Sequence, residues 1–129
     1  MPLVRLEVRQ GRSATQKQAL LDAAHAALVE ALGIPDHDRM QRIVEHARDD
    51  LELPPGSSDD FVLVEVTMFA GRSRQAKRRL YQALVRQLRR AGNRFRRCRR
   101  RAAGATHGQL GYPWGQMASE VDLGFEVQV

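Results

Sequence analysis

Apolar and polar positions along the chain form two similar series of predicted elements. Apolar and polar residues alternate in VRLEV (residues 4–8), which predicts a half-buried strand, whereas FVLVEVTMF (residues 61–69) is more continuously apolar. Apolar residues then recur at spacings of three and four, which predicts an amphipathic helix after each strand. The two stripes comprise Leu20, Leu21, Ala24, Leu28, Ala31 and Leu32, and then Leu80, Tyr81, Leu84, Val85 and Leu88.

The two series are copies of one unit at an offset of 60 residues. Gly11-Arg12-Ser13 recurs as Gly71-Arg72-Ser73, and each serine is a favoured N-cap for the helix that follows. Glycine at 33 and Gly92 or Asn93 fit the helix ends. MQRIVEH (residues 40–46) predicts a strand after the first helix, and a β-α-β unit of this kind has parallel strands.

The pattern predicts a single α+β domain over residues 1–129. It contains two consecutive β-α-β units, at about 2–46 and 61–129, and an exposed connector at residues 47–60. The units form a four-stranded sheet with two helices on one face, and the alternating tail at residues 119–129 predicts a final strand. Because two helices leave the other sheet face bare, we expect a homo-oligomer.

Charge changes this picture in one region. The chain carries a net charge of +6, yet residues 1–65 hold 7 Lys/Arg against 12 Asp/Glu, while residues 66–119 hold 14 Lys/Arg and no acid. The densest stretch, residues 89–101, lies where the second unit needs its second strand. A solvated basic loop and a nucleic-acid-binding segment are two interpretations. Salt-sensitive DNA or RNA binding that is unaffected by changing Pro2 would favour the second.

A local shift of reading frame is a third interpretation of residues 93–115. Arginine codons of the form CGT, read one base along, give GTC, which encodes valine. Plausible codons for the stretch then give a valine strand, a turn and a Trp-Gly-Ile-x-Gly-Gly hairpin, and they rejoin the printed frame at Gln116. This hypothesis restores the strand that the repeat lacks.

Composition excludes several classes of protein. No apolar run approaches the roughly 18 residues of a membrane span, and the N-terminus lacks the apolar region of a signal peptide, so we expect a cytoplasmic protein. Cys98 is the only cysteine, which excludes an internal disulfide. His25 and His46 lack metal-ligand spacing and are expected to be structural. No metal site, catalytic triad or phosphate-binding loop is recognisable.

Pro2 is the candidate for chemistry. Proline is tolerated at a strand start because it needs no ladder hydrogen bond there. If Met1 is removed, however, Pro2 becomes a secondary amine fixed at the end of a strand. An α-amino group has a pKa near 8, which apolar surroundings and cations would lower towards neutrality.

The chain resembles the tautomerase superfamily. Pro2, VRLEV and GRSATQK (residues 11–17) resemble the opening of 4-oxalocrotonate tautomerase, and WGQMAS (residues 114–119) resembles its C-terminal hairpin. The doubled unit, residues 20–39 and residues 44–51 are most similar to malonate semialdehyde decarboxylase. The resemblance implies a homotrimer, a small carboxylate substrate, no cofactor, and Pro2 as the catalytic base.

The resemblance also implies roles for other residues. Arg72 matches one of two active-site arginines of the decarboxylase, and arginine offers a bidentate fork for a carboxylate. The other arginine's position is Ala70, which disfavours decarboxylation. Asp38 matches an acidic catalytic residue, and Arg12 matches a substrate-binding arginine of 4-oxalocrotonate tautomerase. Independently of the resemblance, Phe69 and Trp114 are candidates for an apolar wall of the substrate pocket, although core packing explains them equally well.

We therefore expect keto–enol tautomerisation of a small 2-keto or enol acid. Decarboxylation, hydration or dehalogenation of a three-carbon acid in the same site is the enzymatic alternative. A catalytically silent trimer is a further alternative if Met1 is retained, because the nitrogen of Pro2 is then an amide.

Overall fold

The computed structural model of the protein describes residues 2–92, which fold as two long helices and a three-stranded mixed sheet. The arginine-rich stretch where the second unit needs its second strand and the predicted strand at 119–129 extend outside the described residues, so the four-stranded sheet stays a prediction. No helix within residues 2–92 is long and apolar enough to cross a bilayer. In chain order the elements are β1 (Leu3–Arg9), α1 (Ala14–Leu32), β2 (Met40–His46), a short 3-10 helix (Arg48–Asp50), β3 (Val62–Thr67) and α2 (Arg74–Arg90).

Both long helices begin directly after the predicted N-cap serines. The Ser13 hydroxyl accepts a hydrogen bond from the Gln16 backbone N–H at 3.1 Å, and the Gln16 side chain accepts one from the Ser13 N–H at 2.9 Å. These reciprocal bonds form a capping box, which satisfies two N–H groups that a helix start leaves unpaired. Ser73 caps α2 through the Ala76 N–H at 3.1 Å. Gly33 ends α1 in the left-handed conformation, with φ 64°.

The central strand β1 determines the sheet topology. It pairs with β2 in parallel, as predicted for a β-α-β unit, and with β3 in antiparallel orientation. In the second ladder Leu3 faces Thr67, and Glu7 faces Leu63. A shift of 60 residues exchanges these two pairs, since it carries Leu3 to Leu63 and Glu7 to Thr67. The sequence repeat is therefore a structural two-fold, centred on the paired Arg5 and Glu65.

The core lies between one face of the sheet and the two helices. Val4, Leu6 and Val8 of β1 are buried, with Leu6 and Val8 fully inaccessible. The helices pack against each other over the same face and bury small and branched residues along most of each predicted stripe. Leu21, Leu32, Tyr81 and Val85 of the predicted stripes are only partly buried, because they lie at the edges of the packed faces.

The opposite face of the sheet is not covered by either helix within the described part of the chain. Leu3 and Met40, which face each other across β1 and β2, are 42% and 52% exposed. Charged residues follow them along the strands: Arg5 lies 2.5 Å from Glu7 and 3.6 Å from Glu65. This face thus combines an apolar end, on the Pro2 side of the sheet, with a partly paired charged centre.

Candidate functional site

The site forms around Pro2, which is buried at the start of β1. Because β3 runs antiparallel to β1, the end of β3 reaches the start of β1, and Leu3 pairs with Thr67. The next residues of the β3 end, Met68 to Arg72, therefore pass beside Pro2. The sheet topology thus brings together residues that are 70 positions apart in the sequence.

A cavity of about 400 Å³ opens at this point. The C-terminal end of α1 supplies Leu32 to one wall, and Pro2 lies on the same sheet face as Val4, which packs beneath the helices. Leu32 and Met68 also pack against the core, which fixes the inner wall. The full lining among the described residues is Pro2, Leu32, Met68, Phe69, Ala70, Gly71 and Arg72.

Arg72 is the charged residue of this lining. It is exposed, it directly precedes the Ser73 N-cap of α2, and it forms no ion pair with any residue between 2 and 92. Gly71 has φ 103°, a backbone region that side chains with a Cβ rarely adopt, so the turn that delivers Arg72 to the cavity requires glycine. An arginine held in this way can bind a carboxylate through two parallel N–H donors.

Asp38 lies at the same end of the sheet, on the other side of β1. The parallel ladder pairs Leu3, the first residue of β1, with Met40, the first residue of β2. Asp38 comes shortly before Met40, so it lies near the start of β1. Its backbone N–H bonds to the Pro35 carbonyl at 3.0 Å, which folds residues 35–38 into a turn. Asp38 is half-buried and is separate from the cavity lining. Pro2 thus lies at the start of the central strand, while Asp38 precedes one neighbouring strand and Arg72 follows the other.

The turn that carries Asp38 is tied to α1 by His25. This histidine is 5% exposed, and its Nε2 lies 2.8 Å from the Asp36 carbonyl oxygen. A carbonyl oxygen only accepts, so Nε2 carries the proton of this bond. Sequence reasoning assigned His25 a structural role, and the geometry identifies that role as holding the turn. The same turn is tied to α1 again by the ion pair between Arg39 and Asp22.

Arg12 lies at the opposite end of β1 from Pro2. The strand spans seven residues, so its ends are about 20 Å apart at roughly 3.3 Å per residue. Burial lowers the pKa of Arg12, while Asp60 and Glu45 act in the opposite direction. The shift of 60 residues relates Arg12 to Arg72, so Arg12 is the two-fold counterpart of Arg72. Arg12 lies at the end of the sheet where β3 starts. Within one chain it does not reach the Pro2 cavity, and its role in substrate binding stays a prediction.

Phe69 is 84% exposed and lines the cavity, whereas Trp114 lies outside the described residues. Sequence reasoning did not single out Leu32 or Met68 as site residues. Leu32 was assigned to the core stripe of α1, and its place just before the terminating Gly33 was the available signal. Met68 shows no signal in the sequence, because its position opposite Pro2 follows from the strand register. No group of three metal-ligating side chains occurs within residues 2–92.

The matches of this chain to known protein families together span all of the described residues. Two family models, both described as tautomerase enzyme, match residues 2–55 and residues 38–94. The Bacillus subtilis (strain 168) protein named "Probable tautomerase YrdN" is 32% identical over 93 residues, which cover 68% of this chain and 71% of that protein.

Solved structures of similar proteins share the fold. A malonate semialdehyde decarboxylase inhibited by 3-bromopropiolate is 35% identical with a TM-score of 0.64, covering 70% of this chain and 72% of that one. A fused 4-OT described as a symmetric trimer is 28% identical with a TM-score of 0.61, covering 69% and 72% of the two chains. A second malonate semialdehyde decarboxylase, described as having decarboxylase and hydratase activities, is 32% identical with a TM-score of 0.63, covering 69% and 72%.

Proposed function

The chain belongs to the tautomerase superfamily, and on that premise we propose that it catalyses keto–enol tautomerisation of a small 2-keto acid with Pro2 as general base. One observation carries the proposal: Pro2 is buried at the wall of a cavity whose charged residue, within the described part of the chain, is Arg72. A base and a carboxylate-binding cation therefore face the same space.

The proposed reaction moves one proton between carbon and oxygen. Arg72 binds the substrate carboxylate and stabilises the charge that develops on the neighbouring oxygen in the enolate. The unprotonated amine of Pro2 removes a proton from C3, and the electron pair of that C–H bond forms the C2–C3 double bond. The carbonyl oxygen then takes a proton, for which Asp38 orients a donor or a water. The reverse sequence gives ketonisation, in which the Pro2 ammonium returns the proton to C3.

The mechanism requires that Met1 is cleaved from Pro2. An amide nitrogen is not basic at neutral pH, so an uncleaved chain has no base at this position. Intact-mass measurement of the purified protein is therefore the first experiment, and we expect the mass of the chain without Met1. Retention of Met1 in an active preparation would exclude catalysis by Pro2.

Ketonisation of phenylenolpyruvate tests the assigned roles. Pro2→Ala replaces a secondary amine by a primary one and should lower kcat/KM by about 10²-fold or more, the usual range for losing a positioned general base. Arg72→Ala should raise KM and lower kcat, since it removes both carboxylate binding and charge stabilisation. Arg79→Ala is the matched control, because Arg79 is an exposed arginine of α2 that does not line the cavity. Undiminished activity of the Pro2 variant would remove Pro2 as the base.

Decarboxylation or hydration of a three-carbon acid in the same site is the second candidate. The similarity to two malonate semialdehyde decarboxylases favours it. Ala70, where the resemblance predicts a second arginine, disfavours it. Following malonate semialdehyde by NMR decides between them, and we expect slower turnover of this compound than of phenylenolpyruvate.

We also propose a homotrimer with the uncovered sheet face at the subunit interface. Leu3 and Met40 are exposed on that face, and apolar residues paired across strands are usually buried in an assembly. Trimeric neighbours support the same state. Analytical ultracentrifugation should give three times the chain mass, and Leu3→Lys should dissociate the assembly, whereas Lys in place of the exposed Gln82 of α2 should leave it intact.

A further inference from the structure

Among residues 2–92, the side chains that line the cavity beside Pro2 comprise one cation and an apolar wall. Resting on the proposed function, we propose that the natural substrate is a 2-keto acid with one carboxylate and an apolar group beyond C3, and not a dicarboxylate.

The number of cations that line the cavity determines how many carboxylates of a substrate the cavity can bind. Arg72 is the charged residue among the described residues that line the cavity, and Ala70 and Gly71, which precede it, carry no charge. Arg39, which lies at the same end of the sheet, is already paired with Asp22. A second carboxylate would face Leu32 and Met68, where it would lose water without gaining a cationic partner from the described part of the chain, and this is strongly unfavourable.

The apolar residues supply the tail-binding surface. Leu32 and Met68 are anchored in the core, so they form a fixed inner wall. Phe69, at 84% exposed, leaves most of its ring available to a bound group. The volume of about 400 Å³ lies within the range of pockets that enclose ligands larger than a three-carbon acid. One apolar contact in such a pocket typically changes specificity by about 10-fold or more.

A matched pair of substrates tests the proposal. The exchange of C3 protons with D2O, followed by NMR, reports the enolisation of any 2-keto acid that the enzyme accepts. Both 2-oxohexanoate and 2-oxoadipate have six carbons and differ in whether a methyl or a carboxylate ends the chain. We expect kcat/KM for 2-oxohexanoate to exceed that for 2-oxoadipate by at least about 10-fold, and phenylpyruvate to exceed pyruvate similarly.

Two variants locate the preference in the cavity. Ala70→Arg adds a second cation to the lining and should reduce or reverse the ratio between 2-oxohexanoate and 2-oxoadipate. Phe69→Ala should lower kcat/KM for phenylpyruvate more than for pyruvate. Arg79→Ala should leave both ratios unchanged, because Arg79 lies outside the lining.

The outcomes separate this inference from the proposed function. Equal or faster exchange of 2-oxoadipate by the enzyme would overturn the inference and leave the tautomerase activity in place. Ratios that do not respond to either cavity variant would also overturn it. If the Met1-processed enzyme exchanged none of the four acids, the proposed function itself would fail, and the inference with it.

Discussion

Replacing His25 by alanine tests whether the turn that carries Asp38 depends on a buried hydrogen bond. His25 is the buried polar side chain of the described core, at 5% exposed, and its Nε2 lies 2.8 Å from the Asp36 carbonyl oxygen. The bond joins the middle of α1 to the turn before β2. The Asp36 carboxylate, 3.5 Å from the same nitrogen, is 96% exposed and therefore adds little through charge.

The expected decrease in the free energy of unfolding for His25→Ala has two parts. A neutral intramolecular hydrogen bond contributes about 0.5–1.5 kcal/mol, and Asp36 lies at the surface, where water can replace the lost donor, so the lower half of that range applies. Truncating a buried side chain to alanine leaves a cavity, and for large side chains this costs about 2–5 kcal/mol. Imidazole is smaller and more polar than those side chains, so the total should be about 2–4 kcal/mol.

Urea unfolding at equal protein concentrations measures this difference, because the stability of an oligomer depends on concentration. His37→Ala is the matched control: it changes an exposed histidine of the same turn and should alter the free energy of unfolding by no more than about 0.5 kcal/mol. A His25→Ala cost that is no greater than the control's would refute the structural role. If Asp38 contributes to turnover, the variant should also lower kcat at temperatures where it remains folded.

Three further predictions concern the core, the response to acid and the coding sequence. Leu80→Ala should cost about 2–5 kcal/mol in the same unfolding assay, since Leu80 is 1% exposed, and a cost below 1 kcal/mol would contradict the assigned core. Hydrogen bonds from Arg39 and Gln18 lower the pKa of Asp22. Asp22 therefore contributes to the free energy of unfolding above its unfolded pKa near 3.9, and this contribution is lost as the pH falls through the folded pKa. Asp22→Asn should therefore flatten the fall in stability below about pH 4, and an unchanged acid profile would contradict this. Resequencing the DNA for residues 93–115 should reveal a compensating pair of insertions or deletions relative to close relatives, and their absence would end the reading-frame hypothesis.

The sequence by itself determined the local elements and their repetition. Serine N-caps, alternating strands and helical stripes are set by neighbouring residues, so Ser13, Ser73 and the strand at 40–46 were predicted correctly. Pro2 and Arg72 were also singled out from the sequence, through the repeat and the family resemblance. The sequence does not show which of these residues share a site, because each unit carries an arginine at the same position of its repeat.

Only the tertiary structure shows which of the two arginines lies beside Pro2 within one chain. The repeat does not reveal how one unit is oriented against the other, because hydrophobic periodicity is the same for parallel and antiparallel neighbours. The antiparallel pairing of β1 with β3 places Arg72 beside Pro2 and leaves Arg12 at the far end of the strand. The same pairing brings Met68 opposite Pro2, and the packing of α1 adds Leu32. These contacts join residues far apart in the chain, and the strand register that creates them depends on the whole sheet.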